Sequence, residues 1–223
     1  MDRELLSAAF PRLVDLARDR LEHSPACHDW DHTLRVLNSA RHLCGVEGAD
    51  LLVVEFAAVL HDVGRPAELA DQGRTCHAEQ GAAAVPGILA ALGVTDSAFS
   101  EHVAACVRTH RFRNRTADRP ATLEARIVFD ADKLDSIGAI GIGRSFHFAG
   151  RIGARVHNRA EQAEASASYS REDSAYREFL VKLRHLHERM LTAEGRRLAA
   201  SRHQFMVAFF DQLNREVSSQ DYA

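Results

Sequence analysis

The sequence predicts an all-α protein. Apolar residues recur at steps of three and four along nearly the whole 223-residue chain, which is the spacing of the buried face of an amphipathic helix. No stretch of useful length alternates between apolar and polar residues as a half-buried strand would, and no segment repeats at a fixed period. The length fits one large domain, or one domain with a helical extension. A hydrophobic fraction of 46% and a charged fraction of 26% are typical of a globular protein with its own core.

Five helices are expected in the first half of the chain, with ends set by glycine, proline and capping residues. The expected ranges are about 5–21, 29–45, 49–63, 77–92 and 96–110. Gly45 would end the second helix, because glycine is favoured just past a helix end. Gly64 and Pro66 would end the third. Pro86 would kink or interrupt the fourth helix, and Asp96 would cap the fifth.

Helical and polar segments alternate in the second half of the chain. Residues 111–120 are polar and rich in arginine, which indicates a loop. Residues 153–173 are polar and rich in alanine and serine, and are expected to form a mobile insertion. The remaining helical or apolar stretches cover about 122–134, 137–151, 174–192 and 193–217.

The bulk composition argues against several classes of protein. A net charge of -3 gives no basic surface of the kind that binds a long nucleic acid. No apolar run approaches the roughly 18 residues that span a bilayer, and the N-terminus lacks an apolar signal core. The cysteines form no C-x-x-C pair and are expected to be reduced thiols of a cytoplasmic protein. They are Cys27, Cys44, Cys76 and Cys106.

Side chains that can bind a metal interrupt three of the apolar helices. His28 and His32 stand one turn apart at the start of the second helix. His61 and Asp62 end the third, where an ionised aspartate is costly to bury unless it is paired or bound to a metal. In residues 129–135, three aspartates punctuate a helix that is otherwise apolar.

Each of these groups, taken alone, has a simpler explanation. A buried histidine is more often hydrogen-bonded than metal-bound, and an aspartate-rich stretch is more often a solvated face or a helix cap. Together, however, two histidines and two aspartates on three helices could converge on one point. That mixed nitrogen and oxygen ligand set suits manganese, iron, cobalt, nickel or zinc. Four protein ligands on an octahedral ion leave two positions for water and a substrate oxygen.

The order of these residues resembles the H…HD…D signature of the HD superfamily of metal-dependent phosphohydrolases, and most closely its YedJ/YpgQ-like bacterial branch. The resemblance is carried by HDWDHTLRV, AAVLHDVGR and DADKLDSIGAIGIGR, which are residues 28–36, 57–65 and 130–144. A lone His-Asp pair carries no information, whereas three blocks in this order are specific. The resemblance implies one helical HD domain over residues 1–223, with its metal-binding core at about 25–150 and C-terminal helices after it.

Carried onto this sequence, the family pattern makes His32, His61, Asp62 and Asp132 the ligands of a divalent metal ion, which is one of those named above or magnesium. The implied reaction is attack of water on a small phosphorylated substrate, expected to be a nucleotide. Within that class a nucleoside triphosphate cleaved to monophosphate and pyrophosphate is favoured, because the branch includes such activity. No membrane and no long nucleic acid is expected as a partner, and the oligomeric state is left open.

Three further residues are candidates for catalysis or for orienting the ligands. Lys133 adjoins Asp132 and would orient Asp62 or neutralise phosphate charge, unless it is an ordinary surface lysine. Asp29 either orients a ligand or caps the second helix. Asp135 lies near Asp132 in angle around the helix and could hydrogen-bond a ligand.

Four residues are candidates for binding the substrate. Arg65 could bind phosphate through its planar fork of donors, or simply complement the end of a helix. His77 and His110 lie between the HD pair and the final aspartate, where some HD enzymes use extra histidines for a second metal or for phosphate. A hydrogen-bonded or surface histidine explains each equally well. Lys182 fits the branch pattern, although Glu178 stands where that branch tends to carry a histidine.

Two other functions stay open. The HD fold could serve as a nucleotide-sensing module with little turnover, although intact ligands argue against this. A di-iron site that performs an oxidation would require His77 and His110 as ligands. The densest basic group in the sequence could attract a polyphosphate or be a solvated loop. It consists of Arg111, Arg113, Arg115 and Arg119.

Overall fold

The computed structural model describes residues 2–22, 24, 28–71, 74–111 and 119–219. Within these ranges every regular element is a helix, which confirms the all-α prediction. The chain separates into two compact units, residues 1–132 and 133–223, and each is described by itself. The expected single domain stays a prediction. No helix in the described part of the chain is both long and apolar enough to cross a membrane.

Helix α3 forms the buried centre of the first unit. The helices described there are α1 (Arg3–Leu21), α2 (Trp30–Glu47), α3 (Leu51–Leu60), α4 (Arg65–Ala70), α5 (His77–Ala91), α6 (Ser97–Thr109) and α7 (Leu123–Leu134), which ends two residues into the second unit. Eight of the ten residues of α3 are buried, and α3 packs against α1, α2 and α6. Helix α5 packs against α4 and α6. Helix α6 therefore packs against both α3 and α5.

Aspartate side chains start four of these helices. Asp2, Asp29, Asp50 and Asp96 each accept a hydrogen bond from a backbone N–H of the first turn. Such caps satisfy donors that the helix itself leaves unpaired. The expected start of α2 near Asp29 and the expected cap at Asp96 are confirmed.

The expected end of α2 is wrong by two residues. The helix continues through Gly45 and ends at Glu47. Gly48 takes the left-handed backbone conformation (φ 80°), and its N–H donates to the carbonyl of Cys44. Of the two glycines, the one that adopts positive φ ends the helix, because such a residue closes the last turn without a Cβ clash.

Two expected effects of proline also differ from the structure. Helix α3 ends at Leu60 and not at Val63, and Pro66 lies in the first turn of α4, where its missing N–H leaves no intrahelical bond unmade. Helix α5 continues from His77 to Ala91 across Pro86, so this proline does not interrupt it. The kink expected as the alternative stays a prediction.

The second unit consists of the C-terminal helices. They are α8 (Gly138–Arg151), α9 (Ala160–Ala165), α10 (Ala175–Val181), a 3₁₀-helix (Leu183–Arg189) and α11 (Ala193–Val217). Helix α11 packs against α8 and the 3₁₀-helix, and the rings of Phe179 and Phe210 stack with centroids 4.5 Å apart. The single helix expected over 174–192 is wrong, because Lys182 leaves the helical conformation (φ -142°, ψ -59°). Helix α9 lies inside segment 153–173, whose mobility stays a prediction.

Candidate metal centre

The histidine–aspartate pair lies in the tight turn between α3 and α4. His61 and Asp62 are buried, with at most 1% of either residue exposed. Gly64 lets this turn approach the start of α5, since a Cβ at Gly64 would lie 2.2 Å from the carbonyl oxygen of His77 and 2.7 Å from the backbone nitrogen of Gly81. This close approach places His77 in the same buried region as His61 and Asp62.

One oxygen of Asp62 faces three histidines. Its Oδ2 lies 3.1 Å from Nδ1 of His28, 3.7 Å from Nε2 of His32 and 3.6 Å from Nε2 of His61. The Nε2 atoms of His32 and His61 are themselves 3.2 Å apart, and Oδ1 of Asp132 lies 3.5 Å from Nε2 of His32. The four ligands expected from the sequence therefore lie together. His32, His61 and Asp132 are called the first metal group.

The other oxygen of Asp62 faces a second set of side chains. Its Oδ1 lies 3.2 Å from Nε2 of His77 and 3.8 Å from Nε2 of His110, and those two nitrogens are 3.2 Å apart. The Nε of Arg65 is 3.3 Å from the same oxygen. Asp62, His77 and His110 are called the second metal group. All three are buried, so His77 and His110 are not surface histidines.

The hydrogen bonds of the second metal group decide which ring nitrogens carry protons. Nδ1 of His77 donates to the carboxylate of Glu68 (2.8 Å), and Nδ1 of His110 donates to the carbonyl of Val107 (2.6 Å). Neither partner oxygen can donate in return. In the neutral rings, both Nε2 atoms therefore point unprotonated lone pairs at each other and at Asp62. Such convergence of acceptors is repulsive unless a cation lies among them.

Burial makes protonation of these rings unfavourable. It lowers the pKa of His77 to about 2 and the pKa of His61 to about 4. In His61 the Nδ1–H donates to the carbonyl of Ala58 (2.8 Å), so its Nε2 also faces the cluster without a proton. Burial by itself raises the pKa of Asp62, but the neighbouring His61 and Arg65 outweigh it and hold that pKa well below its usual range. The cluster thus presents the neutral imidazoles of His61 and His77 beside an ionised carboxylate.

These residues fit a divalent metal ion. Oδ1 of Asp62 is buried and has no hydrogen-bond partner, which is unusual for a charged oxygen. The donor atoms of each metal group all lie within 4.8 Å of one another, and so do those of His28, His32 and Asp62. Imidazole nitrogens combined with carboxylate oxygens are a ligand set for first-row transition metals. The centre could hold one metal ion, or two that share Asp62.

Asp29 and Arg65 each have a defined partner in the first unit. The carboxylate of Asp29 accepts from the backbone N–H of His32 (3.0 Å), so it caps α2 and fixes the backbone of a candidate ligand. Nη1 of Arg65 donates to Glu68 (2.7 Å), and the side chain is mostly buried. The guanidinium therefore lies against two carboxylates beside the metal groups.

The other three expected residues belong to the second unit. Lys133 is buried, so it is not an ordinary surface lysine. Asp135 is also buried, and its carboxylate accepts from Nη1 of Arg144 at 2.7 Å. The ammonium of Lys182 pairs with Glu178 at 2.5 Å on the surface.

Glu68 and its contact with Arg111 could not be expected from the sequence. Glu68 has no distinctive spacing from the His-Asp pair, and its partners lie in α4, in α5 and at the second residue past the end of α6. Only the position of Arg111 directly after His110 hinted at a place near the site. Two other arginines of the basic group, Arg113 and Arg115, lie outside the described residues, as does Cys27.

Comparison with known proteins agrees with the helical fold and identifies the family. Residues 29–137 match the family model of the HD domain. The chain is 36% identical over 195 residues to the uncharacterized protein YpgQ of Bacillus subtilis (strain 168). The aligned residues cover 87% of this chain and 86% of that protein.

Solved structures give the same result. The crystal structure of B. subtilis YpgQ in complex with ADP superposes with a TM-score of 0.73 at 29% identity, covering 95% of this chain and 96% of that one. An HD-superfamily hydrolase from Bacillus thuringiensis superposes with a TM-score of 0.73 at 28% identity, covering 96% and 98%. The resemblance found in the sequence is thereby confirmed, and the chain belongs to the HD superfamily, among the relatives of YpgQ.

Proposed function

We propose that this protein is a metal-dependent phosphohydrolase that acts on a nucleotide, and that its favoured reaction is hydrolysis of a nucleoside triphosphate to a monophosphate and pyrophosphate. The buried convergence of unprotonated histidine nitrogens on the carboxylate of Asp62 carries the proposal. Membership of a superfamily whose similar members include hydrolases supports the reaction type. The ADP complex of YpgQ supports a nucleotide as the ligand.

The proposed ligands of the catalytic metal are His32, His61, Asp62 and Asp132. When bound, a divalent ion supplies the Lewis acidity that activates water and neutralises charge on a phosphoryl group. The protein contributes orientation, since the Nδ1–H of His61 and the cap of α2 at Asp29 fix two of the ligands before any substrate arrives. Preorganised groups of this kind contribute to catalysis because they need no rearrangement during the reaction.

Cationic side chains are proposed to bind the phosphates. Arg65 and Arg111 lie on the side of the second metal group, where both contact Glu68. Lys133 and Lys182 are kept as proposed phosphate contacts, and Asp135 as a residue that helps to position them. Lys182 is exposed, so a phosphate would compete with Glu178 for its ammonium.

The proposal is tested by measuring phosphate and pyrophosphate release from nucleoside mono-, di- and triphosphates and from cyclic nucleotides. Metal-stripped protein would be assayed with manganese, cobalt, nickel, magnesium or zinc added back. We expect metal-dependent release of pyrophosphate from a triphosphate, with activity lost in Asp62→Ala. Asp15→Asn is the matched control, because Asp15 is exposed and pairs only loosely with Arg18. No turnover with any metal, despite metal binding, would contradict the proposal and favour a nucleotide-sensing module.

The second metal group favours one further candidate function. An oxidation at a di-iron centre needs His77 and His110 as ligands, and both face Asp62. Oxygen uptake by the iron-loaded protein, with no release of phosphate from any nucleotide, would favour this oxidation over hydrolysis. Phosphate release with manganese or cobalt, without oxygen uptake, would exclude it.

The proposed place of action is the cytoplasm. Cys44, Cys76 and Cys106 are free thiols in the structure, as expected for a reducing compartment.

A further inference from the structure

Glu68 is a buried carboxylate with three cationic or N–H partners. Only 7% of the residue is exposed. Its Oε2 accepts from Nη1 of Arg65 (2.7 Å) and from Nδ1 of His77 (2.8 Å), and its Oε1 lies 2.7 Å from Nη1 of Arg111. An ionised carboxylate is costly to bury without partners, and these three donors compensate that cost. Glu68 therefore joins α4, the start of α5 and the end of α6 at one point.

Glu68 fixes the orientation of His77. Because its Nδ1–H is held by Glu68, Nε2 of His77 is left unprotonated and directed at Asp62 (3.2 Å) and at His110 (3.2 Å). A carboxylate behind a histidine ligand fixes the ring and its tautomer and makes the ligating nitrogen more basic. Glu68 has this relation to His77.

Glu68 also offsets positive charge beside the second metal group. The Nε of Arg65 lies 3.3 Å from Oδ1 of Asp62, and Arg111 lies against Glu68 and donates to Sγ of Cys76 (3.2 Å). Two guanidinium groups this close to a cation site would oppose cation binding. The carboxylate of Glu68 offsets part of that positive charge.

We propose that Glu68 is a positioning residue that makes the second metal group able to bind a divalent cation, by directing Nε2 of His77 inward and by compensating the charge of Arg65 and Arg111. The inference rests on the proposed function and adds to it a second metal ion, held by Asp62, His77 and His110. Glu68 itself is not proposed as a ligand, since its carboxylate lies on the far side of the His77 ring.

The test measures binding of Mn²⁺ to metal-stripped full-length protein by calorimetry and by electron paramagnetic resonance. Wild-type protein should bind two Mn²⁺ ions and show the spectrum of an exchange-coupled pair, because Asp62 bridges the two groups. In Glu68→Gln, one of the two ions should bind about tenfold more weakly or worse, the coupled spectrum should be lost, and the other ion should bind as in wild type. Glu68→Asp keeps the charge but withdraws it by one methylene, so its loss of affinity should be smaller.

Glu79→Gln is the matched control. Glu79 lies on the same helix as His77, but it is exposed and faces Arg108 at 3.4 Å. It should bind both ions as wild type does. Two ions bound by Glu68→Gln with unchanged affinity would overturn the inference, as would equal weakening of both ions together with a lower melting temperature. A single ion bound by wild type would also overturn it. Nucleotide hydrolysis by wild type, measured on the same samples, tests the proposed function separately.

Discussion

Gly64 affects the candidate metal centre through its backbone position, because it has no side chain. It comes two residues after Asp62, a proposed metal ligand, and it lies against the first turn of α5. Both atoms that a Cβ at Gly64 would strike belong to the backbone, so no side chain can move aside to make room. The absence of a side chain here is what allows His77 to reach the carboxylate of Asp62.

Gly64→Ala should therefore destabilise the fold and weaken metal binding together. We expect the free energy of unfolding to fall by about 3 kcal/mol or more, which is at the upper end for overpacking, as measured by urea denaturation. Gly87→Ala in α5 is the control, because nothing lies within 4 Å of the added Cβ. It should be neutral or stabilise by up to about 1 kcal/mol. Equal effects of the two substitutions would contradict this account of Gly64.

The candidate ligands, and Asp29 behind one of them, could be named from the sequence, whereas Glu68 could not. His32, His61, Asp62 and Asp132 stand in blocks whose order and spacing are specific to a family. The partners of Glu68 are separated from it by 3, 9 and 43 positions and meet only through the packing of α4, α5 and α6. No local pattern encodes such a meeting point.

At the scale of single elements, the start of α2 tests two interpretations of Asp29 that the sequence left open. Asp29→Ala removes the acceptor for the backbone N–H of His32 and should lower the free energy of unfolding by about 1 kcal/mol, measured by urea denaturation. Asp29→Asn keeps a good cap but removes the charge, so it should restore stability. Metal affinity, measured by calorimetry, separates the two interpretations. An affinity that is low in Asp29→Ala and stays low in Asp29→Asn would mean that the charge of Asp29 orients the ligand and that capping alone is not enough.

The control for this pair is Asp31→Ala. Asp31 lies in the first turn of the same helix and is exposed, but it does not cap it. Its removal should change stability by less than about 0.5 kcal/mol. A loss as large as that of Asp29→Ala would show that first-turn charge matters more than the capping hydrogen bond.

Helix starts were easier to predict than helix ends, for a physical reason. A capping aspartate at Asp29 or Asp96 acts on its own first turn, so the signal is local. The end of α2 depends on which of two glycines takes positive φ, and the break at Lys182 has no glycine or proline nearby to mark it. Packing of the 3₁₀-helix on α11 accompanies that break, and such long-range contacts are not visible in periodicity.

At the scale of the whole molecule, the buried histidines predict sensitivity to acid. The pKa of His61 (about 4) lies below its ordinary value of 6.5, so the unfolded chain binds a proton there before the folded protein does. His77, which faces Asp62, His110, Arg65 and Arg111, behaves in the same way with a pKa of about 2. The stability that these two histidines contribute to the metal-free protein is therefore fully present above about pH 6.5, and it is lost as the pH falls towards 4 for His61 and towards 2 for His77.

Urea midpoints of the metal-free protein, measured from about pH 7 to about pH 4.5, should decrease steadily. His77→Gln removes one of the groups that bind a proton only on unfolding, so its midpoint should depend less steeply on pH than that of wild type. A midpoint that does not change with pH, or an equal slope in the variant, would contradict the assignment of neutral rings in the folded state.

Metal should stabilise the whole fold, because the cluster of lone pairs exists only in the folded protein. An ion present at about 100 times its dissociation constant should add about 2.7 kcal/mol to the free energy of unfolding. The melting temperature should therefore rise with the concentration of Mn²⁺ and fall with a chelator. Asp62→Asn, measured in parallel by calorimetry, should show no such dependence, and a rise in Asp62→Asn equal to that of wild type would place the metal elsewhere.

The two oxygens of Asp62 face different histidine groups, and this has an evolutionary consequence. Both groups depend on one carboxylate, so one exchange of aspartate for asparagine would weaken both at once while it kept nearly the same shape and packing. Such a descendant would give up the proposed hydrolysis but keep the arginines and lysines proposed to hold phosphate. Under the proposed function, an enzyme and a nucleotide sensor of this fold are one substitution apart.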